Sequence, residues 1–261
     1  MDLKTLKYQV KDNVALITLF RPEQYNAVNS VMSQELPKVW NLFDNDPEAI
    51  VAIITGQGEK SFCTGADLTD LPTMDNEQGK ATLGSIKWTS LQNDIWKPVI
   101  CAVNGMTCGG GLHFVADSDI ILCSSNSTFF DTHVKVGLVA GLEPVGLSRR
   151  APLESILRMA LVGGNERMSA DKALSIGLVG EVVDQGSLLD RAFEIAGMIK
   201  GNSPSALEKT KKAIWNSKEV GMSEALEYAW GLISEQNIHP DFEEGSKAFI
   251  EKRNPNWVPL K

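Results

Sequence analysis

Cysteine, histidine and tyrosine are scarce in this chain of 261 residues, at four, three and three copies. The cysteines, Cys63, Cys101, Cys108 and Cys123, make no C-x-x-C pair, and His113, His133 and His239 complete no zinc-ligand spacing with them. Neither a disulfide framework nor a bound metal is expected; reduced, mostly buried thiols are, as in a reducing compartment. Cys63 stands apart as a candidate reactive thiol because it adjoins a site motif. Long apolar runs are missing as well: none nears the ~20 residues that span a bilayer. The N-terminus lacks the apolar core of a signal peptide and the C-terminus is not a peroxisomal address, so a cytoplasmic protein without a membrane partner is expected. A basic stripe is also absent. With a net charge of -8, nucleic acid is excluded as a partner, while a small anionic ligand held by a few local lysines is not.

What is present is enough apolar material for a substantial core. A hydrophobic content of 43% with 22% charged residues is that of an ordinary globular protein, either one large domain or one domain with an appendage. The opening runs Leu6 to Val10 and Val14 to Leu19 read as a β-hairpin around Lys11-Asp12-Asn13. Leu36, Val39, Trp40 and Phe43 recur at helical spacing, with Pro37 as a candidate kink. Ile50 to Thr55 is apolar without alternation, which predicts a strand covered on both faces. Residues 69–80 read as a mobile loop, and Leu83, Ile86, Leu91 and Ile95 predict a helix after it. Alternating strand, loop and helix signals up to about Val183 predict an α/β layer structure. From Leu188 the chain reads as helical: Leu188, Ala192, Ile195 and Ile199 share one face. A further helix, capped by Ser223, carries Leu226, Ala229, Trp230 and Ile233. This tail either packs on its own core or builds a subunit interface.

The most informative stretch is Val99 to Gly105, an apolar strand and turn, followed by Gly109-Gly110-Gly111 and a helical segment carrying His113. Backbone N–H groups at a helix start, with no side chains to hold a ligand away, suit an anion. The same glycines would also allow close helix-to-strand packing.

Four landmarks in this order resemble the crotonase (enoyl-CoA hydratase/isomerase) superfamily over nearly the whole chain. They are Arg21-Pro22 with Asn26-Ala27-Val28-Asn29, Phe62 to Leu68, Val103-Asn104-Gly105 through Gly111, and Phe249 to Pro255. The resemblance implies an α/β fold, a crotonase-like ββα spiral over 1–195 with a C-terminal helical trimerisation region over 196–261, assembled as a homotrimer or a dimer of trimers. It implies an acyl-CoA thioester substrate and no cofactor beyond the coenzyme A of that substrate. By position, the amides of Ala66 and Gly110 would form an oxyanion hole for the thioester carbonyl. Arg21, Asn26, Ala27, Ala66, Asp67, Leu68 and Lys252 would border the coenzyme A, with Lys247 a further candidate for its phosphates; Asp67 also reads as a residue that fixes its own turn. Trp88, Met74, Trp215 and Trp230 are candidate walls of the acyl pocket.

The departure from the family is chemical. Hydratases of this kind carry glutamates at two positions where this chain has His113 and His133. Imidazoles transfer protons near neutral pH, and Glu143 is a candidate carboxylate beside them. His113 falls in the first turn of a helix, where the dipole disfavours its cation, so at most one ring of the pair is expected to be charged. Purely structural roles stay open for His113 in the core and for His133 paired with Asp131, and His239 reads as a surface residue. Three functions follow: a hydratase-like lyase using histidines as acid and base, a C–C bond hydrolase of the retro-Claisen type on a cyclic β-keto substrate, or a non-catalytic acyl-CoA binder.

Overall fold

The computed structural model describes residues 2–72 and 82–260. The opening hairpin forms as expected: β1 (Leu6–Lys11) and β2 (Val14–Leu19) pair antiparallel, and Asp12 and Asn13 turn the chain at positive φ, a conformation such short polar residues tolerate. Asn29 then caps α1 (Ser30–Asn45) by accepting from the Met32 amide, and Leu36, Val39, Trp40 and Phe43 are all buried. Pro37, read as a candidate kink, lies inside this helix.

Each following turn of the chain gives one strand to each of two sheets. The first pair is β3 (Val51–Gly56) and β4 (Ser61–Cys63). Next come β5 (Val99–Val103) and β6 (Met106–Cys108), followed by α2 (Leu112–Asp117). Then come β7 (Ile120–Ser124) and β8 (Thr128–Phe130), followed by α3 (Leu142–Ser148) and α4 (Leu153–Val162). The chain continues through β9 (Met168–Ser169), α5 (Ala170–Ser175) and β10 (Glu181–Val183). The larger sheet is ordered β1-β2-β3-β5-β7-β10 and the smaller β4-β6-β8-β9. All pairings from β2 to β10 in the larger sheet are parallel, and β3 and β5 are buried throughout, which explains their unbroken apolar sequences.

Four helices follow: α6 (Leu188–Lys200), α7 (Pro204–Asn216), α8 (Met222–Asn237) and α9 (Pro240–Glu251). The first closes one face of the larger sheet. Leu188, Ala192, Ala196, Ile195 and Ile199 meet Val14, Ile53, Ile100 and Leu122, so α6 is continuous across residue 195 and belongs to the core packing. The apolar face of α8 behaves differently, since Leu226 and Trp230 are 62% and 66% exposed and do not pack on the chain's own core.

Two expectations need correction. The segment read as a helix over Leu83 to Ile95 forms two separate 3-10 turns, Leu83–Ser85 and Leu91–Asn93, because the Ser85 hydroxyl accepts from the Thr82 amide and the Gln92 side chain from the Trp88 and Thr89 amides, local bonds that compete with a continuous helical ladder. Helix α8 starts one residue before the serine read as its cap: Gly221 is the N-cap, without a side-chain bond. The loop read over 69–80 falls largely outside the described residues. Among the described residues no helix is long and apolar enough to cross a membrane.

Candidate active site

Two backbone segments make the floor of the site. After β4 the chain passes Gly65 at φ +85°, where a Cβ would lie 2.7 Å from the Gly110 nitrogen. The chain therefore needs glycine there for two reasons, its left-handed backbone and the close approach. Ala66 forms a parallel bridge to Val28: the Val28 amide donates to the Gly65 carbonyl, and the Asp67 amide to the Val28 carbonyl, each at 2.8 Å. The Ala66 N–H meets no acceptor among the described residues. Opposite, Gly109–Gly111 forms a 3-10 turn running into α2, and the first N–H groups of such a turn have no partner within it. A Cβ on Gly110 would strike the Trp88 ring, and one on Gly111 the Cys63 carbonyl. Close packing and free amides are thus properties of the same glycines.

Three titratable side chains converge beside this floor from three different elements. His113, second residue of α2, places Nε2 3.2 Å from Glu143 Oε1 of α3, and both residues are 6% exposed. His133 opens a 3-10 turn, His133–Val136, with Nε2 3.9 Å from the same Glu143 oxygen. Its Cε1 is the atom a Cβ on Gly109 would meet first, at 3.7 Å, which sets the ring against the glycine turn. Behind it, Asp131 Oδ1 lies 2.9 Å from Nδ1 and accepts from the His133 backbone N–H. Behind His113, Gln92 Nε2 lies 3.3 Å from Nδ1, and the Trp88 ring stands edge-on at 5.9 Å.

The electrostatics follow from these neighbours. The Asp131 hydrogen bond raises the affinity of His133 for its proton; burial opposes this, and the nearby Glu143 charge adds to it, so its pKa lies above the ordinary imidazole value. Burial alone would push the Glu143 carboxyl up. The hydrogen bond from His113, with the two imidazoles close by, outweighs it and leaves that pKa below the ordinary carboxylate value. Both shifts act in the same sense, favouring an ionised Glu143 carboxyl and a proton on His133.

The residues read as bordering coenzyme A divide. Arg21 is engaged internally, donating to the Ala27 carbonyl and to Asp67 Oδ2 at 2.8 Å, so it is not a free guanidinium for a phosphate. Asp67 also accepts twice from Thr69 through Oδ1; it fixes its own turn, and the Thr69 hydroxyl together with Arg21 holds its carboxyl below the usual range against the opposing effect of burial. Asn26 is fully buried, donating to the carbonyls of Gln57 and Ser61, and its side chain cannot line an open path. Ala27 is buried, and Ala66 lies at the floor. Leu68 is 65% exposed, and Lys247 and Lys252 are exposed on and just after α9, positions open to a solvent-borne ligand.

Among the proposed acyl walls, Trp88 adjoins both Gly110 and His113, whereas Met74 lies outside the described residues. Trp215 is directed elsewhere: its indole donates to Asp119, and its ring lies under Arg150 in a separate cavity of about 650 Å³ bordered by α7. Trp230 is solvent-exposed on α8. Cys63 is fully buried and burial pushes its thiol up to about 12, which removes it as a reactive group. His239 caps α9, accepting from the Asp241 amide. Sequence reasoning missed Gln92, which belongs to no motif, and treated Asp131 only as a structural partner; its position two residues before a site histidine was the available signal.

The enoyl-CoA hydratase/isomerase family model matches residues 9–259. Among curated proteins, the (E)-benzylidenesuccinyl-CoA hydratase of Thauera aromatica is 35% identical over 251 residues, covering 95% of this chain and 96% of that protein. The short-chain-enoyl-CoA hydratase of Clostridium acetobutylicum is 34% identical, with 97% of each covered. Among solved structures, an enoyl-CoA hydratase/isomerase from Mycobacterium paratuberculosis superposes with a TM-score of 0.91 at 39% identity, covering 98% of this chain and 99% of that one. Matches of this extent, on a spiral whose glycine turn meets the Gly65-Ala66 segment, place the chain in the enoyl-CoA hydratase/isomerase family.

Proposed function

We propose that the protein adds water across the double bond of an α,β-unsaturated acyl-CoA thioester, and runs the reverse dehydration, with imidazoles where relatives use carboxylic acids. The single observation that carries this reading is the convergence of His113, His133 and Glu143 beside the glycine turn. The unused amides of Ala66 and Gly110 would receive the thioester oxygen. Charge builds on that oxygen as water attacks the β carbon, and fixed donors stabilise it without reorganising, at about 3 kcal/mol per donor by analogy with other oxyanion holes. Glu143, held ionised, takes a proton from the water; an imidazole delivers one to the α carbon. The oxygen ends on the β carbon, the hydrogen on the α carbon, and the thioester is unchanged. Loss of the enoyl-thioester absorbance of crotonoyl-CoA on mixing with enzyme, with 3-hydroxyacyl-CoA as product, is the expected result. No hydration of crotonoyl-CoA or of an aryl-substituted enoyl-CoA at any pH would overturn the proposal.

A second reading, hydrolysis of a C–C bond in a cyclic β-dicarbonyl compound, draws on the approach of Glu143 to His133, which could activate water toward a ketone. A ring-opened acid formed from such a substrate, lost in His133→Ala while CoA esters still bind, would favour it over hydration.

A further inference from the structure

Gln92 and Asp131 approach the two imidazoles from behind, and each can bond its ring in only one way. Gln92 Oε1 accepts from the backbone N–H groups of Trp88 at 2.8 Å and Thr89 at 3.2 Å. The amide is thereby oriented, and the atom facing His113 Nδ1 is the NH2 nitrogen. An amide NH2 donates and cannot accept, so His113 Nδ1 must present its lone pair. The ring proton then sits on Nε2 and is donated to Glu143 Oε1. Protonating Nδ1 would set two donors against each other in a buried site, which is costly. Asp131 imposes the opposite. Its Oδ1 already accepts from the His133 backbone N–H and faces Nδ1, where a carboxylate requires a second donor. His133 Nδ1 therefore keeps its proton, and only Nε2, directed toward Glu143, is free to gain or lose one.

We infer that Gln92 and Asp131 are positioning residues that give the two histidines opposite fixed roles, His113 as an Nε2–H donor to Glu143 with a bare Nδ1 and His133, protonated at Nδ1, as the proton carrier. The division rests on the hydration reading for its catalytic meaning. In that cycle the His133 imidazolium releases its Nε2 proton to the α carbon while Glu143 accepts one from water. A single transfer from Glu143 to His133 Nε2, 3.9 Å apart, restores the starting state. Protons balance without a further acid or base.

The supports are themselves anchored. The Gln92 backbone N–H donates to Thr89 Oγ1, and that hydroxyl donates to Asp117 Oδ2 at 2.6 Å, tying Gln92 to the far end of the helix that carries His113. The charged groups facing His133 are Asp131 on its own segment and Glu143 on α3, with Arg167 acting on Cys108 alongside Asp131. Those facing His113 are Glu143 and Asp117, the latter balanced by Arg150 and Lys211.

Because the chain holds only three histidines, the test is direct. In the full-length enzyme labelled with 15N-histidine, His239→Gln and His133→Gln assign the three rings. At about pH 7 His113 should show a bare Nδ1 and a protonated Nε2, while His133 keeps Nδ1 protonated and gains or loses its proton at Nε2 as the pH is changed. Gln92→Glu, which places an acceptor behind His113, should give that ring an Nδ1 proton, with kcat lowered ~10–100-fold and KM little changed. A protonated His113 Nδ1 in the unsubstituted enzyme, or a His133 that stays neutral throughout, overturns the assignment. The spectra need no substrate, so they stand or fall separately from the hydration assay.

Discussion

The floor of the site and its proton-handling side are built on different principles. Gly65, Ala66 and Gly109–Gly111 act through backbone: their positions follow from β4, β6 and the glycine turn, and their side chains matter mainly by being absent or small. His113, His133 and Glu143 act through side chains brought from α2, a 3-10 turn and α3, and their roles depend on what stands behind them. A backbone floor tolerates no added atom, whereas a side-chain cluster tolerates exchange of its members provided charge and protons still balance. On the hydration reading, this contrast lets imidazoles serve at the proton-handling side while the glycine turn is kept.

The comparison can be broken most forcefully at its proton-handling side. Glu143→Gln keeps the shape and removes the carboxylate proposed as base, so kcat for hydration should fall by ~10²–10⁴-fold with binding of CoA esters retained, as read by steady-state kinetics and ligand titration. An unchanged kcat would transfer the base to another group. On the floor, Gly65→Ala drives a methyl toward the Gly110 nitrogen at a left-handed φ. It should cost ~10²–10³-fold in kcat, the effect of losing one oxyanion donor, yet leave the pH profile of kcat/KM in place because no proton carrier moves. A shifted profile would mean that floor and side are coupled.

The smallest change is expected from Asp131→Asn, which keeps the His133 contact and removes the charge. The raised His133 pKa stabilises the fold fully below the unfolded value of 6.5, and that contribution is lost as pH rises through the folded pKa. In Asp131→Asn the folded pKa falls toward the unfolded one. The alkaline limb of kcat/KM should therefore move to lower pH, and the decline of Tm across that window should flatten. Identical Tm profiles for the two proteins would remove Asp131 from control of the ring.

The backbone half of the site was legible in the sequence because its requirements are local and restrictive. Gly65 and Gly109 to Gly111 can hardly be anything else, and Asn104 and Asn26 sit at turns only a buried amide could hold. The strands were legible for a similar reason: β3 and β5 are covered on both faces, so their composition has no freedom to alternate. The side-chain half was legible by name but not by arrangement. Nothing in the spacing of Arg21 to Asp67 reveals that the two pair with each other. Gln92 lies in a segment with helical apolar spacing that local hydrogen bonds turn into separate 3-10 turns, so its aim at His113 depends on tertiary structure alone. Trp230 shows the converse: its helical periodicity is real, but periodicity states only that a face is apolar, not what lies against it.

Asn26 and Asn104 both donate to the Ser61 carbonyl, and Asn104 also accepts from the Gly56 amide and donates to the Gly58 carbonyl. Two rivets thus share one plate: the end of one layer, the start of the other and the connection leading to Ala66 are fastened at a single carbonyl. Heating should therefore not relax the Ala66 segment ahead of the surrounding scaffold, and inactivation and global melting should follow the same curve.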